Sequence, residues 1–268
     1  MTQDRKNIEL VVFDTAGTVC DGPRDLSARW PEDDGKGCKA PVVPFYELFK
    51  NHGIRCDWET IRRPMGTYKP THLRMLLKTP SIETQWVENF GRTPNDEDFD
   101  ELLDEFRALL TKYIVDEDLA RPVEGAEEAF RRLREGGALI GLDTGYFAKD
   151  AGELNAILRE RYDLKADVES NGEDAPGRPT PFMIYDCMQK AYEITHKTFS
   201  CKQVVKVDDT AAGILSGNNA GAWTIGVYAS GSNDYDELAA ANPDFLVPDI
   251  RYVPELIFTQ ISAKNEEA

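Results

Sequence analysis

The sequence predicts an α/β fold: a parallel sheet covered by helices, with an all-helical block inserted directly after the first strand. Two patterns carry that expectation. From residue 121 onward, short apolar runs alternate with stretches of helical periodicity, whereas residues 41–117 show helical spacing and no convincing strand. Strand alternating with helix implies βαβ units and a sheet buried on both faces, the Rossmann-like arrangement.

Taken in order, residues 8–13, "IELVVF", form a short, β-branched and aromatic run that reads as a buried strand ending at Asp14. Residues 22–39 have no periodicity and many turn formers, so they read as a loop insertion and hinge. In "PFYELFKNHG" apolar spacing meets a Gly stop, and "DEDFDELLDEFRALLTKYIV" sets apolar residues three and four apart behind an acidic start. Residues 40–117 are therefore expected to form a helical cap domain, with residues 1–21 and 118–268 making the α/β core. After a helix in "RPVEGAEEAFRRLREGG", the strand "ALIGL" (138–142) ends at Asp143-Thr144, and a helix follows at about 148–161. A short strand near Ala166–Glu169, a helix over about 180–195, the strand "QVVKV" reaching Asp208, and a helix leading into "TIGVY" (224–228) complete the pattern. An insertion at the carboxyl end of a sheet strand lies where open α/β folds bind ligands, and it is placed to act as a lid.

The formal net charge of −17 argues against nucleic acid and anionic membrane as partners, since both need a basic surface. Apolar runs are only strand-length, so no membrane span is expected. The polar start "MTQDRKN" predicts no secretory signal, and five scattered Cys without a CxxC pair predict a reduced, cytoplasmic protein. An anionic substrate would have to find its positive charge locally.

Four positions at the expected strand ends supply such chemistry. Asp14 follows the first strand, Thr144 another, Asp208 and Asp209 a third, and Arg178 sits in a "GRP" turn opening a helix. Parallel topology brings them to one edge. A carboxylate, a hydroxyl, a cation and further carboxylates suit an anionic group held beside a hard cation such as Mg²⁺. An Asp can attack phosphorus to give an aspartyl-phosphate. Each residue alone reads as an ordinary cap or turn residue; their order along consecutive strand ends is what marks a site.

The motifs "DTAGT", "DTG", "GRP" and "KVDDT" resemble those of the haloacid dehalogenase superfamily, over about residues 8–257. Within it, "DTAGT" together with "RRPMGTYKPTHLRML" is similar to the phosphonoacetaldehyde hydrolase (phosphonatase) family, as are "GCKAP", "TGY", "GRPTPFM" and "NAGAWTIGV". Superfamily phosphatases carry a general acid two residues after the nucleophile, which protonates a departing alkoxide; here that position is Ala16. Cleaving a carbon–phosphorus bond instead expels a carbanion, which a Lys amine accepts after condensing with an aldehyde to an iminium.

The resemblance implies Asp14 as nucleophile and metal ligand, with the Ala16 carbonyl, Asp209 and Asp208 completing a Mg²⁺ site. It implies Lys69 as the Schiff-base residue and His72 as its helper in proton transfer. Met65, Cys38 and Tyr146 become pocket residues, and Thr144, the Gly145 amide and Arg178 hold the phosphonyl oxygens of a small anionic phosphonate. A homodimer paired through the cap is also implied. Two departures stand out. The family places a second Asp four residues after the one matched by Asp209, where this chain has Gly213 and an extra Asp208, and the loop 22–36 is inserted just before "GCKAP". A superfamily hydrolase of another class and a non-catalytic relative are the competing expectations; the missing acid at Ala16 counts against an ordinary phosphatase.

Overall fold

A computed structural model describes residues 8–267. Its centre is a six-stranded parallel sheet in the order β3-β2-β1-β4-β5-β6. The strands are β1 (Leu10–Asp14), β2 (Leu139–Thr144), β3 (Val168–Asn171), β4 (Val204–Asp208), β5 (Trp223–Val227) and β6 (Phe245–Val247). All five residues of β1 are buried, as a strand covered on both faces requires. Its alternate side chains serve two separate cores: Val11 and Phe13 join the larger one, with Phe130 5.1 Å from Phe13, while Leu10 and Val12 pack with Ile184 and Cys187.

The five expected strands are present, β2 and β3 ending two residues later than the sequence suggests. The sixth, β6, escaped sequence reading because three residues are too few to establish a pattern. The chain from 40 to 117 contains no strand among the described residues. Its helices are α1 (Val42–Asn51), α2 (Trp58–Arg62), α3 (Lys69–Leu77), α4 (Pro80–Phe90) and α5 (Asp96–Ile114). The acidic start of α5 is a capping box, in which Asn95 and Asp98 exchange side-chain and backbone hydrogen bonds at 3.0 and 2.8 Å. Phe45 of α1 stacks on Phe106 of α5 at 4.1 Å, which fixes these two helices against each other.

The remaining helices are α6 (Ala126–Glu135), α7 (Ala148–Tyr162), α8 (Phe182–Thr195), α9 (Ala211–Ala220) and α10 (Tyr235–Ala240), before a helical stretch from Val253. No helix among the described residues is long and apolar enough to cross a membrane, and all five cysteines are free thiols.

Sheet order decides the site. Strand β1 lies between β2 and β4, with Asp14 opposite Asp143 and Phe13 opposite Val207. The carboxyl ends of these three strands are therefore neighbours, and the chain leaves β1 there to build the helical block.

Candidate active site

Asp14, Asp143 and Asp208 place carboxylate oxygens within 4.8 Å of one another at that edge, and all three are buried. Three carboxylates so close cannot stay ionised without cations. Arg178 reaches in from the turn before α8. Its Nη1 lies 2.7 Å from Asp14 and 3.5 Å from Asp208, and its Nη2 pairs with the Asp143 carboxylate and donates to the Asp143 carbonyl at 2.9 Å. Lys206, fully buried in the middle of β4, pairs with Asp143 and, at 2.9 Å, with Asp208. Burial pushes the Asp14 carboxyl up, opposed by Arg178. For Asp208 burial acts in the same sense, but Arg178 and Lys206 outweigh it and hold the group below the ordinary carboxylate value.

Asp209 faces a different set of partners. Its two oxygens accept from Thr18 Oγ1 at 3.0 Å and from the Ser232 amide at 2.7 Å, and burial raises its pKa to about 6. It lies outside the three-carboxylate group. Asp208 explains Gly213: a Cβ built on Gly213 would overlap the Asp208 carboxyl group at well under 3.0 Å. The place a side chain at 213 would need is already taken.

The helical block sits directly on this edge. The Lys69 backbone amide donates to the Gly145 carbonyl at 3.2 Å, and a Cβ on Gly145 would run into the Thr67 carbonyl at under 3.0 Å. Lys69 opens α3 and is 3% exposed. Its Nζ lies 3.8 Å from Met65 Sδ and 5.0 Å from the Tyr146 ring centre, and it makes no ion pair among the described residues. Burial pushes its pKa down to about 8. Asp14, Ala16, Met65, Lys69, Thr144, Gly145, Tyr146 and Arg178 all line one cavity of about 20 Å³. The Thr144 hydroxyl also accepts from the Tyr146 amide at 3.4 Å.

His72 and Cys38 are buried and do not line the cavity. The His72 ring packs 4.3 Å from Phe45, with Nε2 2.8 Å from the Ile61 carbonyl. A carbonyl only accepts, so Nε2 carries the hydrogen and Nδ1, which has no partner, keeps its lone pair. Burial and then Lys69 hold its pKa well below the ordinary value, so the ring is neutral. The Cys38 thiol donates to Asp21 at 3.0 Å and is pushed up by burial.

Sequence reading missed Asp143 as a site residue and missed Lys206. Both carried a signal: a Lys in the middle of a strand read as buried needs a carboxylate partner, and Asp143 is the strand-end carboxylate next to Thr144.

A parallel α/β sheet with a strand-end Asp, Thr, Arg and Asp pair beneath a helical block defines a class. The chain belongs to the haloacid dehalogenase-like hydrolases, whose family its residues 8–221 match. It is 35% identical to the phosphonoacetaldehyde hydrolase of Bacillus cytotoxicus over 226 residues, covering 84% of this chain and 77% of that one. The phosphonoacetaldehyde hydrolase of Bacillus cereus is 34% identical over the same span, and the chain belongs to the family of these enzymes. Among solved structures, the phosphonoacetaldehyde hydrolase-like protein of Oleispira antarctica superposes with a TM-score of 0.83 at 26% identity, covering 97% of this chain and 95% of that one. The β-phosphoglucomutase of Clostridium difficile, at 14% identity, shares the fold with a TM-score of 0.70 over 97% of this chain and 100% of its own.

Proposed function

We propose that this hydrolase cleaves the carbon–phosphorus bond of phosphonoacetaldehyde, or of a close 2-oxo-alkylphosphonate, giving acetaldehyde and phosphate. The observation that carries this reading is a buried amine, Lys69, lining the same cavity as Asp14, with no carboxyl group at position 16.

Lys69 must be neutral to attack an aldehyde, and burial supplies that. With a pKa of about 8, about one amine in ten is neutral at pH 7, against about one in three thousand at the ordinary 10.5. The amine adds to the aldehyde carbon and loses water to form an iminium. An Asp14 oxygen then attacks phosphorus, the carbon–phosphorus bond breaks, and its electron pair moves into the iminium to leave an enamine. Protonation at carbon and addition of water release acetaldehyde and restore Lys69. A second water cleaves the aspartyl-phosphate and releases phosphate. Arg178, with Thr144 and the Gly145 amide, would hold the phosphonyl oxygens, the guanidinium giving up part of its pairing with Asp14 and Asp208 to reach them. His72 would act through bound water, since its ring does not line the cavity.

The oxygens around Asp14 and Asp208 suit magnesium: they are hard, anionic and buried, and those of Asp14, Asp143 and Asp208 lie within 4.8 Å of one another. Asp14, the Ala16 carbonyl and Asp208 would hold the ion, which would supply charge neutralisation beside the phosphonyl group, whereas Asp209, expected from the sequence as a further ligand, has both oxygens engaged by Thr18 and Ser232. A cavity of about 20 Å³ holds about one water, so the helical block has to lift for substrate to enter. The same reading includes a homodimer paired through that block, whose surface exposes Met75, Val87 and Phe90; sedimentation would test it.

The test is incubation with phosphonoacetaldehyde and Mg²⁺, followed by borohydride reduction and peptide mass analysis. Phosphate release with a reduced adduct on Lys69 is expected. Unaltered turnover in Lys69→Ala would remove the Schiff-base mechanism, leaving only the hydrolase class.

A further inference from the structure

Asp21 lies beyond β1 and outside the cavity, and no step above uses it. It is fully buried, in a left-handed backbone conformation with φ of 57°. Its amide donates to the Arg121 carbonyl at 2.8 Å, on the chain returning from the helical block. Its Oδ2 accepts from the Lys39 amide at 2.5 Å, from the Ala40 amide, and from the Cys38 thiol at 3.0 Å, all on the chain running into that block. Both linkers between sheet and helical block therefore meet at one residue. Next to it they also pair through the Val123 amide and the Val19 carbonyl at 2.9 Å.

A carboxylate suits this place because three donors converge on one oxygen, two of them amides just ahead of α1. The inserted loop leaves Asp21 at residue 22 and returns to it at Cys38, so the tie bypasses the insertion. The loop has further ties of its own, the buried pair of Asp33 with Lys39 at 2.8 Å and that of Asp34 with Arg62 of α2. Asp21 thus ties both linkers at one residue, its side chain holding the chain that enters the helical block and its amide the chain that returns, beside the direct contact of Lys69 with Gly145.

We infer that Asp21 is a positioning residue that pins both linkers and thereby sets Lys69 over Asp14. This rests on the reading of Lys69 as the imine-forming amine.

The experiment uses the full chain with Asp21→Ala and Asp21→Asn, and reads two quantities. One is the rate at which iodoacetamide labels Cys38, resolved by peptide mass, with Cys56 of the helical block as an internal control. The other is kcat and KM for phosphonoacetaldehyde with Mg²⁺. In Asp21→Ala, Cys38 should label at least about fivefold faster with Cys56 unchanged and with Asp21→Asn, which removes the same charge, near the parental rate, the mark of a loosened hinge rather than of a more acidic thiol. The kcat should fall about tenfold while KM moves less than about threefold, because the reacting groups are misplaced rather than absent. Asp21→Asn keeps an oxygen for the two amides and should return kcat to within about threefold of the parent.

Parental labelling and kcat in a folded Asp21→Ala would overturn the inference. If that variant does not fold, Asp21→Ser, which is polar but too short to reach both amides, takes its place under the same expectations. Failure of both to fold beside a fully normal Asp21→Asn would assign Asp21 to the fold alone and overturn the inference as well. A parent enzyme that releases no phosphate would instead refute the proposed function, with Cys38 labelling still deciding the hinge.

Discussion

Gly213→Ala tests whether Asp208 fills the space in front of α9. The added methyl would sit at well under 3.0 Å from the Asp208 carboxyl carbon and both oxygens. The backbone has little room to yield, because the Gly213 amide donates to Thr210 Oγ1 at 3.1 Å in the first turn of α9. Asp208 must therefore move. Doing so loosens its bonds from the Thr210 amide at 2.9 Å and hydroxyl at 2.7 Å, and its pair with Lys206 at 2.9 Å. Overpacking costs about 1–3 kcal/mol and breaking a buried ion pair about 3–5, while replacing helical Gly with Ala returns about 1. Because Asp208 shifts rather than disappears, the expected loss is about 3 kcal/mol. Urea unfolding of the parent, Gly213→Ala, Asp208→Gly and the double variant forms a cycle with an expected coupling of about 2–3 kcal/mol, since Asp208→Gly removes the collision. Isothermal titration with Mg²⁺ adds a second reading. Asp208→Gly combined with Gly213→Asp relocates the carboxylate and should recover most of the affinity lost in Asp208→Gly alone. A Gly213→Ala protein within about 0.5 kcal/mol of the parent, with additive effects in the cycle, would refute the reasoning.

Three further outcomes are expected. Burial lowers the Lys69 pKa to about 8, so the reactive neutral form grows as pH rises: kcat/KM should climb about tenfold per unit below pH 8 and level off above it, and a flat profile from pH 6 to 8 would contradict the assignment. Gly145→Ala puts a methyl against the Thr67 carbonyl and should hold α3 off the sheet edge, lowering kcat/KM about a hundredfold, whereas Gly152→Ala, with open space around its Cβ, serves as the neutral control. Chelation of the metal with EDTA should stop phosphate release yet leave borohydride trapping on Lys69, because imine formation uses no phosphoryl transfer; loss of both together would mean that the amine depends on the metal.

Most of the core was legible because a parallel sheet buried on both faces writes most of its strands as largely apolar runs, β1 and β5 above all, each ending where the chain turns polar. That logic found Asp14, Thr144 and Asp208, and it fails for β6, where "FLV" is too short to set a period. The site was less legible wherever a role depends on a partner far along the chain. Asp143 earns its place through Arg178, thirty-five residues on, and Lys206, sixty-three residues on. Asp21 meets Lys39 and Ala40 only after the inserted loop has gone out and come back. His72 shows the limit of helical spacing. One turn from Lys69 puts both on the same side of α3, yet the ring turns to Ile61 and Phe45 while the amine turns to the cavity. Spacing fixes which residues share a face, not which neighbour each side chain finds.

The geometry also sharpens the meaning of Ala16. In the proposed reaction an acid at that position is merely unnecessary, because a carbon leaving group has no oxygen to protonate. The structure gives a stronger reason. Ala16 lines the same cavity as Lys69, whose amine lies 3.8 Å from the Met65 thioether and 5.0 Å from the Tyr146 ring centre. A carboxylate placed within a few ångströms would favour the charged amine and raise its pKa by about 1–3 units. From a value of about 8, that cuts the neutral fraction at pH 7 by about tenfold to a thousandfold. In the proposed mechanism an acid at position 16 would thus work against the amine that shares its cavity. Under the proposed mechanism, an uncharged residue at 16 leaves the cavity that holds the Lys69 amine with one carboxylate, Asp14, paired with Arg178, rather than two.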